Sequence, residues 1–203
     1  MRSNRSLLVL LGVLLGACGR RGDAESAAAP AGDSAAAGVV DSVFPMPVML
    51  ERFRAGLTEP AALRGTAASV EVLARGVLAA LAAGDTTAFE PLALNQAEFA
   101  WLYYPSTATA QPPYELPPGL AWFQLQEKSR RGVLRAFREL GGHRLEYRGH
   151  QCDAEPKTEG ENRIWTGCRV SLVRDGQAVT LRLFGAVIER GGRFEIVSFD
   201  NDF

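Results

Sequence analysis

Seven side chains between residues 98 and 200 are of the types that transfer protons in small-molecule enzymes. Such a site needs a carboxylate or histidine base with an acidic donor, such as a tyrosine, opposite it. No two of the seven form a motif, so no acid–base pair can be assigned from spacing alone. The candidates are Glu98, Tyr103, Tyr104, Tyr114, His143, His150 and Asp200.

Most of these candidates have a simpler structural explanation. Asn95, followed three residues later by Glu98, is the pattern of a capping box at the start of a helix. Tyr103 and Tyr104 are expected to pack, or to form a surface, beside a proline-rich loop. His143 follows the predicted end of a helix, where a partial positive charge is favourable.

The N-terminus has the three parts of a lipoprotein signal. Arg2 and Arg5 precede an apolar stretch that is too short to span a bilayer. Leu15-Gly16-Ala17-Cys18 then resembles a bacterial lipobox, which implies that residues 1–17 are a cleaved signal peptide and that Cys18 is acylated. The alternative is an ordinary secretory signal with an unrelated cysteine.

This resemblance implies attachment to a membrane through lipid on Cys18, since several acyl chains give stable anchoring. Gly19 and Arg20 follow, without the aspartate that would indicate retention in an inner membrane. The expected location is the outer membrane facing the periplasm, if the host has one. Residues 18–40 contain almost no large apolar side chain before Val39 and are predicted to form a flexible Ala/Gly-rich tether.

Composition limits the classes of partner. The 203 residues carry a formal net charge of −1, so the basic field that attracts nucleic acid is absent from the sequence. Three cysteines and two histidines are too few and too scattered for a zinc framework. We therefore expect no nucleic-acid partner, no metal and no cofactor.

Two cysteines remain once Cys18 is lipidated. Cys152 and Cys168 flank one loop, and an exported protein lies in an oxidising compartment, so we expect a disulfide between them. Two free buried thiols and a redox pair are the alternatives.

Residues 41–203 are predicted to form a single α+β domain with its core in about residues 66–203. Apolar residues recur with helical spacing in residues 47–58, 66–83 and 120–140, and shorter helices are expected after Asp85 and Asn95. Five prolines between residues 105 and 118 predict a loop before the long helix.

The last forty residues are predicted to form three antiparallel strands joined by two tight turns. Asp175-Gly176 and Gly191-Gly192 can adopt the positive φ angles of two-residue hairpin loops. These loops place Leu172 opposite Val179 and Val187 opposite Ile196, which gives one continuous apolar face.

Residues 143–152 are expected to add a fourth strand. Direct pairing of Cys152 with Cys168 would place Arg148 on the apolar face, so we expect a β-bulge near Gly149. The other face of the sheet is polar at one end and apolar at the other, near Trp165, Phe184 and Phe199. This apolar end is a candidate surface for a homodimer or another protein, unless the helix at 47–58 covers it.

Five aromatic side chains bracket the proline-rich loop. They either close the core against the prolines or form a recognition groove for a small apolar ligand or a peptide. The residues of this possible ligand groove are Trp101, Tyr103, Tyr104, Tyr114 and Trp122.

The order of elements resembles the NTF2-like (SnoaL-like) superfamily. The residues that carry the resemblance are the helix from Val70, the step Ala82-Ala83-Gly84-Asp85-Thr86-Thr87-Ala88-Phe89 and the terminal strands ending in Phe194-Glu195-Ile196-Val197-Ser198-Phe199. It implies helices packed on a curved antiparallel sheet of about four strands, with a pocket inside the cone. Members include isomerases, cyclases and binding modules, so the fold alone does not decide the activity.

We therefore predict a lipid-anchored protein of the cell envelope that acts as a non-catalytic binding or interaction module. The alternative is a small-molecule isomerase or cyclase that uses the pocket of the cone. Convergence of an acidic residue and a tyrosine inside a closed pocket would favour the enzyme.

Overall fold

Helical periodicity and capping residues account for four α-helices in residues 44–203, the part of the chain that the computed structural model describes. They are α1 (Met46–Arg54), α2 (Val70–Ala83), α3 (Gln96–Glu98) and α4 (Pro118–Leu140). Short 3-10 turns lie at Thr87–Leu92, Tyr104–Ser106 and Ala108–Ala110, and a π-helical turn, Phe99–Tyr103, continues α3. The proline-rich segment is thus a series of turns between α3 and α4.

Helix α2 shows how local signals set the helix ends. The Ser69 side chain accepts a hydrogen bond from the Val72 amide, and Gly84 ends the helix in the left-handed region at φ 68°. The helix starts at Val70 rather than at residue 66, because Ala67 is used elsewhere: its carbonyl accepts a hydrogen bond from the Phe194 amide at 2.9 Å. A tertiary contact therefore overrides the helical periodicity of residues 66–69.

Seven antiparallel strands form two sheets, so the fold is α+β as predicted. The strands are β1 (Leu145–Gln151), β2 (Lys157–Glu159), β3 (Asn162–Trp165), β4 (Arg169–Arg174), β5 (Gln177–Leu181), β6 (Val187–Arg190) and β7 (Arg193–Ile196). One sheet has the order β1-β4-β5 and the other the order β2-β3-β6-β7. The prediction of one sheet of about four strands was wrong.

Both predicted hairpin turns are confirmed. Asp175 and Gly176 have φ angles of 48° and 87°, and Gly191 and Gly192 have φ angles of 57° and 76°. Two successive positive φ values match the right-handed twist of the flanking strands. The register follows as expected: β4 pairs Leu172 with Val179, and β6 pairs Val187 with Ile196.

The two sheets separate because the long strand pair contains an offset of one residue. Trp165 pairs with Val187, and Val170 pairs with Leu181, so the four residues 166–169 on one strand lie opposite the five residues 182–186 on the other. Leu181, Leu183 and Val187 keep one alternation and pack in the same apolar core. On the other strand the alternation shifts, because Cys168 and Val170 lie in that core and Ile164 does not. The segment 182–186 contains this additional residue, and the ladder is interrupted there.

The β-bulge expected near Gly149 is confirmed. Tyr147 pairs with Leu172, but Gly149 pairs with the next residue along β4, Ser171. Arg148 is therefore left out of the ladder and exposed, while Tyr147 packs on the core.

The four-stranded sheet has an apolar core on each face. The first core joins Val187 and Ile196 to α2, α4 and the three-stranded sheet. The second joins Ile164, Ile188 and Val197 to residues that precede α4, namely Leu63, Leu94 and Leu102.

The apolar end of the second sheet face is therefore largely covered by the chain itself. Phe184 is fully buried and Phe199 is 4% exposed, both in the first core, and Trp165 is half-buried. An exposed partner surface cannot be built from Phe184 and Phe199.

None of the helices in residues 44–203 combines the length and the hydropathy needed to cross a membrane.

Candidate functional site

An apolar cleft runs along helix α4, and we call it the α4 cleft. It has a volume of about 500 Å³ and lies between α4 and residues 86–96. Such a volume is within the range of small-molecule sites. Its lining residues are Arg64, Thr86, Phe89, Glu90, Ala93, Leu94, Asn95, Gln96, Trp122, Gln126, Ser129, Arg130, Val133, Leu134, Val197 and Phe199.

The position of α4 depends on a close approach at Gly132. A Cβ atom at this position would lie 1.6 Å from the Phe199 carbonyl oxygen, so only glycine fits. The Asn201 side-chain amide donates to the Gly132 carbonyl at 2.8 Å, and the Phe199 amide donates to the Ser129 hydroxyl at 3.2 Å. The C-terminal residues thereby fix the helix next to the cleft.

Aromatic and aliphatic side chains form the walls of the cleft. The Phe89 ring lies 5.3 Å from the Phe137 ring and 5.0 Å from the Phe199 ring, measured between centroids. Leu134 is 58% exposed, so its apolar surface faces the open side of the cleft. Aromatic packing of this kind makes a rigid apolar surface.

The charged groups at the rim already have partners. Arg130 donates two hydrogen bonds to Glu127, at 3.2 and 3.1 Å. The Arg64 guanidinium donates to the Glu90 carbonyl at 2.8 Å and lies 3.8 Å from carboxylate oxygens of Glu90 and Glu98. The cleft therefore offers mainly apolar surface rather than an unpaired charge.

Three of the five predicted groove residues pack around Phe99. The rings of Tyr103, Tyr104 and Trp122 lie 6.0, 5.4 and 5.0 Å from the Phe99 ring. Tyr104 is 1% exposed and its hydroxyl donates to the Leu116 carbonyl, so this ring closes the core. Trp122 also lines the α4 cleft.

The other two predicted groove residues lie apart from this ring cluster. The Arg54 guanidinium lies over the Trp101 ring at 5.0 Å, and Tyr114 is 71% exposed. Helix α1 covers the cluster, with the Phe53 ring 5.9 Å from Phe99, and Arg54 donates to the Ala100 carbonyl at 2.9 Å. The helix predicted at 47–58 therefore docks on the domain.

Glu98 is the only one of the candidate carboxylates and histidines that is fully buried, and Tyr104 is the only fully buried tyrosine among the seven candidates. Its carboxylate accepts hydrogen bonds from the amides of Arg64 at 2.5 Å and Asn95 at 2.9 Å. The Glu98 amide in turn donates to the Asn95 side chain, which confirms the capping box. These bonds occupy the carboxylate with backbone donors.

No tyrosine faces Glu98 among the hydrogen bonds of residues 44–203. Burial, and to a smaller extent the charge of Glu159, raises the pKa of Tyr103 to about 12, far from the range that suits a proton donor at neutral pH. The acid–tyrosine convergence that would favour an isomerase or cyclase is therefore not found in this part of the chain.

The two histidines and Asp200 lie on the surface. His143 Nδ1 lies 2.5 Å from Asp175 Oδ2, and His150 Nδ1 lies 2.6 Å from the Tyr147 hydroxyl. Asp200 Oδ1 is 4.0 Å from the Arg135 guanidinium. These pairs are exposed or half-exposed and belong to no shared site.

Sequence reasoning missed Glu195 as the partner of Glu98. Glu195 is fully buried on β7, and its Oε1 accepts a hydrogen bond from the Gly65 amide at 2.5 Å. Burial, together with the charge and hydrogen bonding of Glu98, raises the pKa of Glu195 to about 8. The burial of Glu195 could have been inferred from the sequence. Side chains alternate along the strand, and the predicted hairpin places Glu195 opposite Ile188, on the same face of the sheet.

The predicted disulfide is present. The sulfur atoms of Cys152 and Cys168 lie 2.04 Å apart, next to the break between the two sheets. Cys18 lies outside the described residues, as do the predicted signal peptide (1–17) and tether (18–40), so these remain predictions.

Within residues 44–203, no group of three or more histidine, cysteine, aspartate or glutamate side chains could hold a metal ion. Comparison with protein-family models, with curated protein sequences and with solved structures found no match to this chain.

Proposed function

We propose that this protein is a lipid-anchored binding module of the bacterial cell envelope that holds a small, uncharged, apolar ligand in the α4 cleft. The observation that carries the proposal is the cleft itself, with a volume of about 500 Å³ and walls that include Phe89, Trp122 and Leu134. Ligand sites of this size are mostly apolar, with a few polar groups that orient the ligand. The uncharged polar residues of this cleft are Thr86, Asn95, Gln96, Gln126 and Ser129.

Two features support the export and anchoring of the protein. The sequence Leu15-Gly16-Ala17-Cys18 resembles a lipobox, and a disulfide joins the other two cysteines, as is usual in oxidising compartments. Acylation of Cys18 would attach the domain through the tether at 18–40. The outer membrane, facing the periplasm, is the proposed location if the host has one.

The order of elements also supports a relationship to NTF2-like domains. Helix α2, the 3-10 turn at Thr87–Leu92 and the long helix α4 precede all seven strands, and helices before strands are what the resemblance implies. The division into two sheets departs from a single curved sheet. A homodimer or protein partner stays a prediction, and its surface has to use residues other than Phe184 and Phe199.

The ligand proposal can be tested with Nile red, an uncharged apolar dye whose fluorescence reports transfer from water. The test variant is Leu134→Glu, which places a charge at the open side of the cleft. The matched control is Val72→Glu, because Val72 is also an exposed apolar residue of a helix, 47% exposed, and does not line the cleft.

We expect Leu134→Glu to weaken dye binding by about tenfold, since a bound dye would cover the exposed part of Leu134 and full burial of a leucine is worth about 1.5–3 kcal/mol. Val72→Glu should bind the dye like the original protein. Equal binding by both variants would contradict the cleft as the site. If only Leu134→Glu loses dye binding, mass spectrometry of molecules that co-purify with the original protein would identify the natural ligand.

The anchor is tested separately with Cys18→Ala. The variant should move from the membrane fraction to the soluble fraction, because it lacks the acylated thiol. Tight membrane binding by Cys18→Ala would contradict lipidation at this residue, without affecting the proposal for the cleft.

A further inference from the structure

Two fully buried carboxylates meet where three distant parts of the chain come together. Glu98 belongs to α3, Glu195 belongs to β7, and both are 0% exposed. The successive amides of Arg64 and Gly65 each donate to one of them, to Glu98 Oε1 and Glu195 Oε1. The pair therefore holds the segment 63–65 against the second core.

The geometry of Gly65 shows how closely this segment approaches. A Cβ atom at Gly65 would lie 2.8 Å from both Cγ and Oε1 of Glu195. Arg193, the second residue before Glu195, donates from its guanidinium to the Leu63 carbonyl at 2.8 Å. The segment is thus bonded on both sides of Arg64.

One oxygen of the pair has no partner. Glu195 Oε2 is buried and finds no hydrogen-bond donor within residues 44–203. A buried carboxylate oxygen without a donor is costly, and two ionised carboxylates side by side repel each other. A proton on Glu195 Oε2 would remove both costs, because Glu98 is a hydrogen-bonding neighbour of Glu195 and can accept from the resulting hydroxyl.

The surrounding charges support one negative charge on the pair, not two. Arg64 is the cation that faces it, with Nε 3.8 Å from Glu98 Oε2, and Arg64 also faces the exposed Glu90 at 3.8 Å. The guanidinium of Arg193 is directed to the Leu63 carbonyl. One half-exposed arginine that already has two acidic neighbours does not neutralise a second buried charge.

We infer that Glu98 and Glu195 share one proton and form an acid clasp that holds the segment 63–65, and that loss of this proton releases the segment. The clasp is closed at acidic and neutral pH and opens in alkaline solution. Because Arg64 also lines the α4 cleft, opening would change the wall of that cleft; this consequence, unlike the clasp itself, rests on the proposed function.

The sign of the pH dependence follows from proton linkage. The pKa of Glu195 is raised from 4.5 to about 8 on folding, so the folded protein binds more protons than the unfolded chain between these values. Stability from this group is fully present below the lower value and is lost as the pH rises to about 8. One bound proton changes the unfolding equilibrium constant by up to about tenfold per pH unit.

The test compares the original protein with Glu195→Gln and with the control Glu90→Gln. The glutamine amide can donate to Glu98 at every pH. In Glu195→Gln, the unfolding equilibrium constant measured in urea should therefore lose the increase of up to about tenfold per pH unit between about pH 5 and pH 8. Glu90→Gln, which removes an exposed carboxylate that faces the same arginine, should keep it. Equal pH profiles for Glu195→Gln and the original protein would overturn the inference.

A second measurement does not depend on the folding of a variant. Infrared spectra of the original protein should show a protonated carboxylic acid at pH 7 that disappears above about pH 8. In a separate hydrogen-exchange measurement, the Gly65 amide should exchange faster above this pH than base catalysis alone explains. A fully ionised spectrum at pH 7 would overturn the shared proton. Unchanged protection of Gly65 across this transition would overturn the release of the segment.

Discussion

Replacement of Gly132 by alanine tests the contact that positions helix α4. The added Cβ would lie 1.6 Å from the Phe199 carbonyl oxygen and 2.6 Å from its carbon, so the helix and the C-terminal residues must separate. Both of these are backbone atoms, and no rotation of a side chain can relieve the overlap. The substitution therefore acts on the packing of two chain segments.

The expected cost follows from the hydrogen bonds across this contact. Phe199 donates to Ser129 at 3.2 Å, Asn201 donates to the Gly132 carbonyl at 2.8 Å, and Arg135 donates to Asn201 at 3.0 and 3.2 Å. At about 0.5–1.5 kcal/mol each, loss of all four destabilises the fold by about 2–6 kcal/mol. The better helix propensity of alanine offsets about 1 kcal/mol.

We therefore expect Gly132→Ala to lower the free energy of unfolding by about 1–5 kcal/mol, measured by urea denaturation with circular dichroism. Gly119→Ala in the same helix is the matched control, because its Cβ would meet only a Phe53 ring atom at an ordinary 3.9 Å. The control should be as stable as the original protein or slightly more stable. An unchanged unfolding midpoint for Gly132→Ala would refute the close approach and with it the account of how the cleft is held.

Three further predictions concern other contacts. Replacing Cys152 and Cys168 by serine should lower stability by about 3 kcal/mol, the value for a closed loop of this length, and reduction of the original protein should have the same effect in thermal unfolding. Asn162→Ala should cost about 1–3 kcal/mol in urea unfolding, since the buried Asn162 amide donates to the Leu102 carbonyl at 2.7 Å. Hydrogen bonding to His143 holds the pKa of Asp175 below its usual value, so the stability from this carboxylate is lost as the pH falls through that pKa. The free energy of unfolding of Asp175→Asn, measured in urea, should therefore depend less on pH in acid than that of the original protein.

Features set by neighbouring residues could be predicted from the sequence. The turn at Asp175-Gly176, the end of α2 at Gly84 and the capping box at Asn95 each depend on a few adjacent positions. The bulge near Gly149 was also predictable, because only one register keeps Arg148 out of the core. For the turn, the helix end and the capping box, the residues that cause the structure are close in sequence, whereas the bulge followed from the expected pairing of Cys152 with Cys168.

Features set by distant residues could not be predicted in the same way. The division into two sheets depends on the segment 182–186, where a Cβ on Gly185 would lie 2.6 Å from the Ser198 hydroxyl, a contact that no local pattern signals. Glu98 and Glu195 meet because the residues before α3 bond to the end of β7, where the Leu94 amide donates to the Ile196 carbonyl at 3.1 Å. The α4 cleft likewise depends on the approach of Gly132 to Phe199, for which the sequence offered only an isolated glycine in a helix.

The offset of one residue in the segment 182–186 has a consequence for how this protein can diverge in evolution. Deleting one residue there would remove the offset and turn Val187 and Ile188 toward each other's cores, since side chains alternate along a strand. Removing or inserting two residues would leave both side chains on their present sides. Descendants of this sequence are therefore expected to change the length of this segment in steps of two, or not at all.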